Sequence, residues 1–137
     1  MAIVGTGVDL AEVSRMQAAL EDPRTGARFR TRVFTEGEQG YCERRGVGRY
    51  QSYAARFAAK EATMKALGHG WGRHVGWLDV EVVRAEDGRP MLRLHGKAAA
   101  TATAVGATRL HLALTHTRDM AVAQVVFEDD ASAPPSR

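Results

Sequence analysis

Residues 50–67 read YQSYAARFAAKEATMKAL, a stretch without Gly or Pro that decides the fold. Alanine is the strongest helix former, and Gly68 is a typical residue just beyond a helix end, so we predict a helix here. On a helical wheel the apolar arc contains Phe57 and Met64, and Glu61 falls inside that arc. The central helix therefore carries a carboxylate on the side that faces the core.

An unpaired carboxylate in an apolar environment needs a cation, a metal ion or a proton, because desolvating its charge is costly. One interpretation of Glu61 is a structural salt bridge to Lys65 or Arg56; the other is a ligand of a divalent metal ion. Asp9 raises the same question at the predicted junction of the first strand and first helix. It could cap the helix, with Glu12 at the third position, or it could converge with Glu61 on Mg²⁺.

Hydrophobic periodicity and turn signals predict the other elements. The expected strands cover 3–8, 78–85, 91–94, 110–115 and 120–127; the expected helical segments cover 9–20, 27–34, 35–45 and 97–105. Thr35 with Glu38 forms a capping-box pattern at the start of the third of these segments. We summarise the order as β-α-α-α-β-β-α-β-β, an α+β fold with an antiparallel sheet of about five strands packed with helices. The edge strands of such a sheet have unpaired backbone groups, which favours an oligomer in which a partner subunit covers them.

Composition indicates an ordinary globular protein. The chain has 137 residues, 45% hydrophobic and 26% charged, so we expect a single domain over 1–128 and a flexible tail over 129–137. No apolar run is long enough for a transmembrane helix and no signal peptide is evident, which predicts a cytoplasmic protein. The single cysteine, Cys42, allows no internal disulfide and is interpreted as a buried side chain instead of a nucleophile.

Two further features suggest anion binding. The net charge is +3 and the pI near 9.4, which favours phosphorylated ligands or acidic partners. Glycines in the segment 68–73 (GHGWGR) would let backbone amides approach phosphate oxygens, although such a loop is more often only a helix terminator. His116, at the start of the last hairpin, is a candidate base or phosphate donor.

Taken in order, these blocks resemble the holo-acyl-carrier-protein synthase family of 4′-phosphopantetheinyl transferases, which are small trimeric enzymes. The similarity rests on the segments GTGVD at 5–9 with Arg15, RFAAKEA at 56–62 with Lys65, the loop 68–73, GRP at 88–90, and LTHT at 114–117 followed by Ala121 and Ala123. The blocks span almost the whole chain except the tail. The helix block and the aspartate block at this separation are the specific part of the resemblance.

The resemblance implies transfer of the 4′-phosphopantetheine arm from coenzyme A to a serine of an apo-acyl carrier protein, with release of adenosine 3′,5′-bisphosphate. Asp9 and Glu61 match the family's Mg²⁺ ligands, and Lys65 matches a lysine that contacts phosphate. Coenzyme A would be bound by Arg56, Gly68, Gly70 and Gly72 of one subunit. Pro90, His116 and Thr117 match positions contributed by the neighbouring subunit, which implies a homotrimer with sites at its interfaces.

The resemblance also implies a docking surface for an acidic carrier protein. Arg15, Arg28, Phe29 and Arg32 match the family positions that face the carrier helix. The proton acceptor stays open between Glu61, a water on the metal ion and His116. The family often has Ser where this chain has Ala113, so one phosphate hydrogen bond is in question.

Three other functions are alternatives to this one. A broader transferase serving polyketide or peptide synthetase carriers is not distinguished by the sequence. A noncatalytic nucleotide-phosphate or nucleic-acid binding module is disfavoured by an aromatic content of only 7%. In a purely structural subunit the carboxylates would form internal ion pairs. We expect neither nucleic acid nor a membrane as a partner.

Overall fold

The computed structural model describes residues 1–130 and has α+β architecture. Its strands are β1 (Ile3–Glu12), β2 (Val80–Arg84), β3 (Pro90–Leu94), β4 (Arg109–His116) and β5 (Met120–Glu128). Its helices are α1 (Val13–Glu21), α2 (Gly26–Val33), α3 (Glu36–Glu43), α4 (Arg49–Leu67) and α5 (Gly96–Val105), and short 3₁₀ turns cover Gly46–Gly48 and Trp77–Asp79. Four helices, not three, lie between the first two strands. The four expected helical segments before the second strand each correspond to one of these helices, so the summarised order is one helix short there.

The strands form two antiparallel sheets within residues 1–130. One has the order β1-β5-β4, and the other contains β2 and β3. The expectation of a single sheet of about five strands is therefore wrong for this chain. Both predicted hairpins are present, and the β2–β3 turn contains Gly88 at φ 88°, a left-handed conformation that glycine adopts without steric cost.

The backbone of helix α4 lies in close contact with the backbone of β1 in the three-stranded sheet. An added Cβ at Gly5 would lie 2.2 Å from the carbonyl oxygen of Ala66, and one at Gly7 would lie 1.9 Å from that of Ala62. Only glycine permits this approach, because no side-chain atom fits between the two backbones. The small residues of both elements therefore fix the separation between β1 and α4.

Strand β1 continues beyond the predicted boundary. Asp9 pairs with Ala123 of β5 and Glu12 pairs with Met120, so Asp9 lies inside the strand and does not cap α1. The N–H of Val13 donates to the carbonyl oxygen of Asp119 (2.9 Å), and the helix begins at that point. The capping interpretation of Asp9 is thus wrong, because extended pairing with β5 outweighs the local helical pattern.

The capping box that begins α3 is confirmed, and it extends into the core. Thr35 Oγ1 accepts from the N–H of Glu38 (3.1 Å), while the N–H of Thr35 donates to Glu38 Oε1 (2.9 Å). Lys60 Nζ lies 2.8 Å from the same carboxylate, and both side chains are fully buried. Lys60 also donates to the carbonyl oxygens of Trp77 and Val80. This ion pair joins α3, α4 and the start of β2.

The end of the described chain is attached to its beginning. The N–H of Asp129 donates to the carbonyl oxygen of Ala2, and Asp129 Oδ1 accepts from the N–H of Ala2, both at 2.9 Å. The remainder of the predicted tail, 131–137, lies outside the described residues. None of the helices found in residues 1–130 has the length and apolar character needed to cross a membrane.

Candidate active site

Asp9, Glu61 and Lys65 come together where β1 crosses α4. Lys65 Nζ donates to Asp9 Oδ1 (3.0 Å) and to the carbonyl oxygen of Val8 (3.1 Å). Asp9 and Glu61 line one cavity of about 570 Å³. The Asp9 side chain is 16% exposed and that of Lys65 is 57% exposed, so the lysine remains open to solvent. The close contact between β1 and α4 thus brings together Asp9 and Lys65, which are far apart in sequence.

Glu61 is the carboxylate of this group that has no cationic partner within residues 1–130. Burial raises its pKa above the usual value, the negative charge of Asp9 raises it further, and Lys65 only partly opposes these effects. The interpretation of Glu61 as one half of a salt bridge is therefore wrong. Lys65 pairs with Asp9, and the Arg56 guanidinium lies 4.2 Å from the centre of the Tyr41 ring.

The Asp9 and Glu61 pair fits a hard divalent cation. Two neighbouring carboxylates whose mutual repulsion raises a pKa are stabilised by a positive ion between them. Mg²⁺ is commonly held by one or two carboxylates, with water and substrate phosphates as its other ligands. In the described part of the chain no cluster of three or more His, Cys, Asp or Glu residues has metal-binding geometry. The donor set suits Mg²⁺ better than a structural zinc ion, which takes four protein ligands.

Two of the four predicted docking residues line the same cavity. Arg15 and Phe29 line it together with the carboxylates, and its apolar wall includes Met16, Phe57 and Met120. Arg28 and Arg32 are exposed on α2 and are not part of the lining. The opening next to the carboxylates therefore combines an apolar wall with Arg15, whose guanidinium lies 4.0 Å from the Glu12 carboxylate.

A second cavity, of about 220 Å³, contains a different subset of the predicted residues. Arg56, Pro90 and His116 line it, with Tyr41, Arg45, Ser52, Ala55, Arg84 and Leu114. Arg56 is only 2% exposed, and among the described residues no carboxylate lies within salt-bridge distance of its guanidinium. Burial lowers the pKa of Arg56 from its usual value. A buried cation without an anionic partner indicates a binding site for an anion.

Sequence reasoning missed Tyr41, Arg45 and Arg84 at this second cavity. The guanidinium groups of Arg45 and Arg84 lie 5.7 and 4.8 Å from the centre of the Tyr41 ring. These residues come from α3, the loop after it and β2, so no local spacing connects them. Alternation along β2 places Arg84 on the same face as the buried Val80 and Val82, and a charged residue in line with core positions was the signal in the sequence.

The predicted glycine loop is separate from both cavities. Gly68 has φ 82° and ends α4, and Gly72 has φ 141°. An added Cβ at Gly68, Gly70 or Gly72 would meet no atom within 4 Å, so their backbones are open to a ligand. Thr117 lies in the β4–β5 turn, where its Oγ1 accepts from the N–H of Met120 (3.1 Å). Ala113 is exposed on β4 opposite Gln124.

Comparison with known proteins gives a consistent result. Residues 5–125 match the family model of the 4′-phosphopantetheinyl transferase superfamily. The holo-[acyl-carrier-protein] synthase of Solibacter usitatus is 49% identical over 127 residues, which cover 93% of this chain and 99% of that protein.

Two solved structures illustrate the similarity of fold. A holo-(acyl-carrier-protein) synthase from Bacillus anthracis in complex with CoA (3′,5′-ADP) has a TM-score of 0.77 and 34% identity, covering 95% of this chain and all of that one. The corresponding enzyme from Neisseria meningitidis has a TM-score of 0.80 and 26% identity, covering 93% and 99%. These matches extend over nearly the whole length of each chain.

Proposed function

The chain belongs to the 4′-phosphopantetheinyl transferase superfamily, and from this premise we propose that it is a Mg²⁺-dependent holo-acyl-carrier-protein synthase. It transfers the 4′-phosphopantetheine arm of coenzyme A to a serine hydroxyl of an apo-acyl carrier protein and releases adenosine 3′,5′-bisphosphate. The observation that carries the proposal is the pair Asp9 and Glu61 in one cavity next to Lys65. The chain provides one folding domain over 1–128 for this reaction.

Each residue of the first cavity has a distinct role in the transfer. Asp9 and Glu61 hold Mg²⁺, which supplies positive charge to the pyrophosphate when it is bound. Glu61 also accepts the serine proton, because its carboxylate lines the cavity beside Asp9 and has no cationic partner among the described residues. Lys65 Nζ contacts Asp9 and is more than half exposed, and its compact positive charge stabilises the leaving phosphate.

The second cavity supports binding of the nucleotide end of coenzyme A. Arg56 is buried without a carboxylate partner, and His116 and Pro90 lie beside it. The glycines at 68, 70 and 72 provide accessible backbone for phosphate oxygens. The carboxylates line one cavity, and Arg56, Pro90 and His116 line another cavity of the same chain. We therefore propose that one complete site in a homotrimer combines the first cavity of one subunit with Arg56, Pro90, His116 and Thr117 of its neighbour.

Intact-mass analysis of an apo-acyl carrier protein tests the transferase proposal. We expect a mass gain of one phosphopantetheine arm with coenzyme A and Mg²⁺, and no gain with Asp9→Asn, Glu61→Gln or a chelator. Glu86→Gln, in the exposed β2–β3 turn, is the matched control and should retain activity. The absence of any gain with several carriers, while the protein remains folded, would overturn the proposal in favour of a binding module.

Metal binding can be measured without turnover. Mg²⁺ should raise the melting temperature of the wild-type protein, because a ligand that binds only the folded state stabilises it. Asp9→Asn and Glu61→Gln should abolish the increase, and Glu86→Gln should preserve it. An equal Mg²⁺ effect in all four proteins would place the ion elsewhere.

Mixing two inactive variants tests the shared site. Glu61→Gln removes a group of the first cavity, and His116→Ala removes one of the second. If each site combines two subunits, refolding an equal mixture should restore about a quarter of the wild-type sites, the value for random assembly of a cyclic oligomer. A mixture as inactive as its components would contradict a site composed of two subunits.

The carrier is an acidic protein that docks on the basic rim formed by Arg15, Arg28 and Arg32 next to Phe29. Charged rims accelerate the encounter with partners of opposite charge and make it sensitive to salt. Arg15→Glu with Arg28→Glu should raise the KM for the carrier and leave coenzyme A binding unchanged. Unaltered carrier kinetics in this double variant would remove the docking proposal and leave the transferase proposal intact.

A further inference from the structure

Three arginine side chains surround the ring of Tyr41, which belongs to α3 and lines the second cavity. The guanidinium groups of Arg56, Arg84 and Arg45 lie 4.2, 4.8 and 5.7 Å from the centre of this ring. A cation within about 6 Å of an aromatic ring centre is attracted by the negative charge of the ring face. The three guanidinium groups therefore share one attractive contact, although they come from separate elements.

The hydroxyl group of Tyr41 restrains one of these arginines further. Arg84 Nη2 donates to Tyr41 Oη (2.6 Å), and Arg84 Nη1 donates to the carbonyl oxygen of Gly88 in the β2–β3 turn. A planar guanidinium bonded through both terminal nitrogens has little rotational freedom. Arg84 is thus held between α3 and the hairpin before any ligand binds.

The charge of this arginine cluster is not neutralised by the described chain. Within residues 1–130 none of the three arginines forms a salt bridge, and Arg56 Nε is buried without a hydrogen-bond partner. The Glu81 carboxylate lines an adjoining cavity with Arg56. Its two oxygens are already bonded to Thr35 Oγ1 and His95 Nε2. Cations with an unfilled buried donor indicate a site for an anion.

An aromatic ring gathers cations without occupying their donors. Burial lowers the pKa of Arg56, and the positive charge of Arg84 lowers it further, so the cluster is electrostatically unfavourable without an anion. A carboxylate in place of Tyr41 would remove this cost, but it would accept the N–H groups that a ligand needs. The ring face offsets part of the repulsion and leaves those groups available.

We propose that Tyr41 is a positioning residue that holds Arg45, Arg56 and Arg84 together as one preformed site for a phosphate group of the nucleotide. The inference rests on the proposed function, because coenzyme A supplies this phosphate. Arginine binds phosphate through paired N–H groups in a fixed plane, so affinity depends on the orientation of each guanidinium before binding. Tyr41 contacts no reacting atom and acts through the arginines.

Calorimetric titration of the full chain with adenosine 3′,5′-bisphosphate tests this role without turnover. Tyr41→Leu removes the ring and should weaken binding about 10-fold, a loss within the range of desolvated cation–π contacts. Tyr41→Phe retains the ring and should lose no more than about 3-fold. Tyr50→Leu is the matched control, because Tyr50 has the Arg49 guanidinium 4.8 Å from its ring centre and donates to Glu21 Oε2 (2.6 Å), but lies outside the second cavity. It should bind the bisphosphate as the wild type does.

Steady-state kinetics separate positioning from a general loss of structure. Tyr41→Leu should raise the KM for coenzyme A about 10-fold while kcat and the KM for the carrier change less than about twofold, whereas a loosened fold would alter all three. Combining Tyr41→Leu with Arg84→Gln should weaken bisphosphate binding by less than the product of the two single losses, because the tyrosine acts through the arginine.

The outcomes distinguish this role from the transferase proposal. Bisphosphate affinity of Tyr41→Leu within about twofold of the wild type, or an equal loss in Tyr50→Leu, would overturn the positioning role and leave the transferase intact. Equal losses in Tyr41→Phe and Tyr41→Leu would also overturn it, since the ring would then have no part. Absence of binding by the wild-type protein would overturn both proposals. Binding that depends on the Tyr41 ring, without a mass gain on any carrier, would support the phosphate site and overturn the transferase function.

Discussion

Replacing Gly7 with Ala should separate β1 from α4 and destabilise the protein. The new Cβ would lie 1.9 Å from the carbonyl oxygen of Ala62, which is about 1.5 Å short of ordinary contact distance. The obstacle is helix backbone, so no side-chain rotation relieves the clash. Overpacking of this kind costs about 3 kcal/mol, which for a domain of this size lowers the melting temperature by about 10 °C.

The same substitution should reduce catalysis beyond its effect on folding. Gly7 is two residues from Asp9, whose carboxylate lies 3.0 Å from Lys65 Nζ across the strand–helix contact. A displacement of about 1 Å in a catalytic arrangement can reduce the rate about 100-fold. The transferase rate of Gly7→Ala, measured well below its melting temperature, should therefore fall by about that factor.

Thermal denaturation followed by circular dichroism provides the assay, and Gly70→Ala is the control. Gly70 has no positive φ, and an added Cβ there would meet nothing within 4 Å. Its melting temperature should remain within about 3 °C of the wild type, since Gly→Ala at a compatible site changes stability by about 0.4–1 kcal/mol. A Gly7→Ala melting temperature equal to that of Gly70→Ala would refute the argument that backbone contact fixes the spacing.

Three further measurements concern the buried Lys60–Glu38 ion pair, the buried Cys42 thiol and the partly buried Glu81 carboxylate. Lys60→Met and Glu38→Gln should each cost about 3–5 kcal/mol in urea denaturation, because each leaves a buried partner unpaired; the double variant should lose less than the sum, and strict additivity would show that the pair is uncoupled. Burial raises the pKa of Cys42 to about 12, so iodoacetamide at pH 8 should label it only after unfolding, and rapid labelling of the native protein would contradict this. Partial burial raises the pKa of Glu81, but hydrogen bonds from His95 and Thr35 outweigh burial and lower it below the usual 4.5. The stabilisation by Glu81 is then present above pH 4.5 and lost as pH falls through the lowered pKa, so Glu81→Gln should lower the urea midpoint at pH 7 but not in strong acid.

Local patterns in the sequence predicted most of the elements correctly. The helix over 50–67 and its end at Gly68 follow from propensity and from the left-handed cap, and both are confirmed. The capping box at Thr35 is confirmed for the same reason, because it depends on residues three apart. Sequence patterns formed by residues within one helical turn therefore predict the local structure correctly.

Features that depend on distant pairing were not predicted. Asp9 was assigned to a helix start because the spacing after it is helical, yet pairing with β5 extends the strand through Glu12. The division of the strands into two sheets has no local signal either. The full burial of Lys60 depends on Glu38, which is 22 positions away and belongs to another helix.

The two cavities have opposite electrostatic requirements, and the proposed substrates satisfy both. The first cavity is lined by three carboxylates, of Asp9, Glu12 and Glu61, and by Arg15, and burial together with the charge of Asp9 raises the pKa of Glu61. The second has Arg56 buried without a carboxylate partner in the described chain, with Arg84 beside it. A divalent cation neutralises the first, and the phosphates of a nucleotide neutralise the second. A ligand that combines a divalent cation with phosphate groups binds across the two cavities more tightly than the cation or the phosphates alone. This accounts for the presence of an unpaired carboxylate, Glu61, and an unpaired arginine, Arg56, in the described chain.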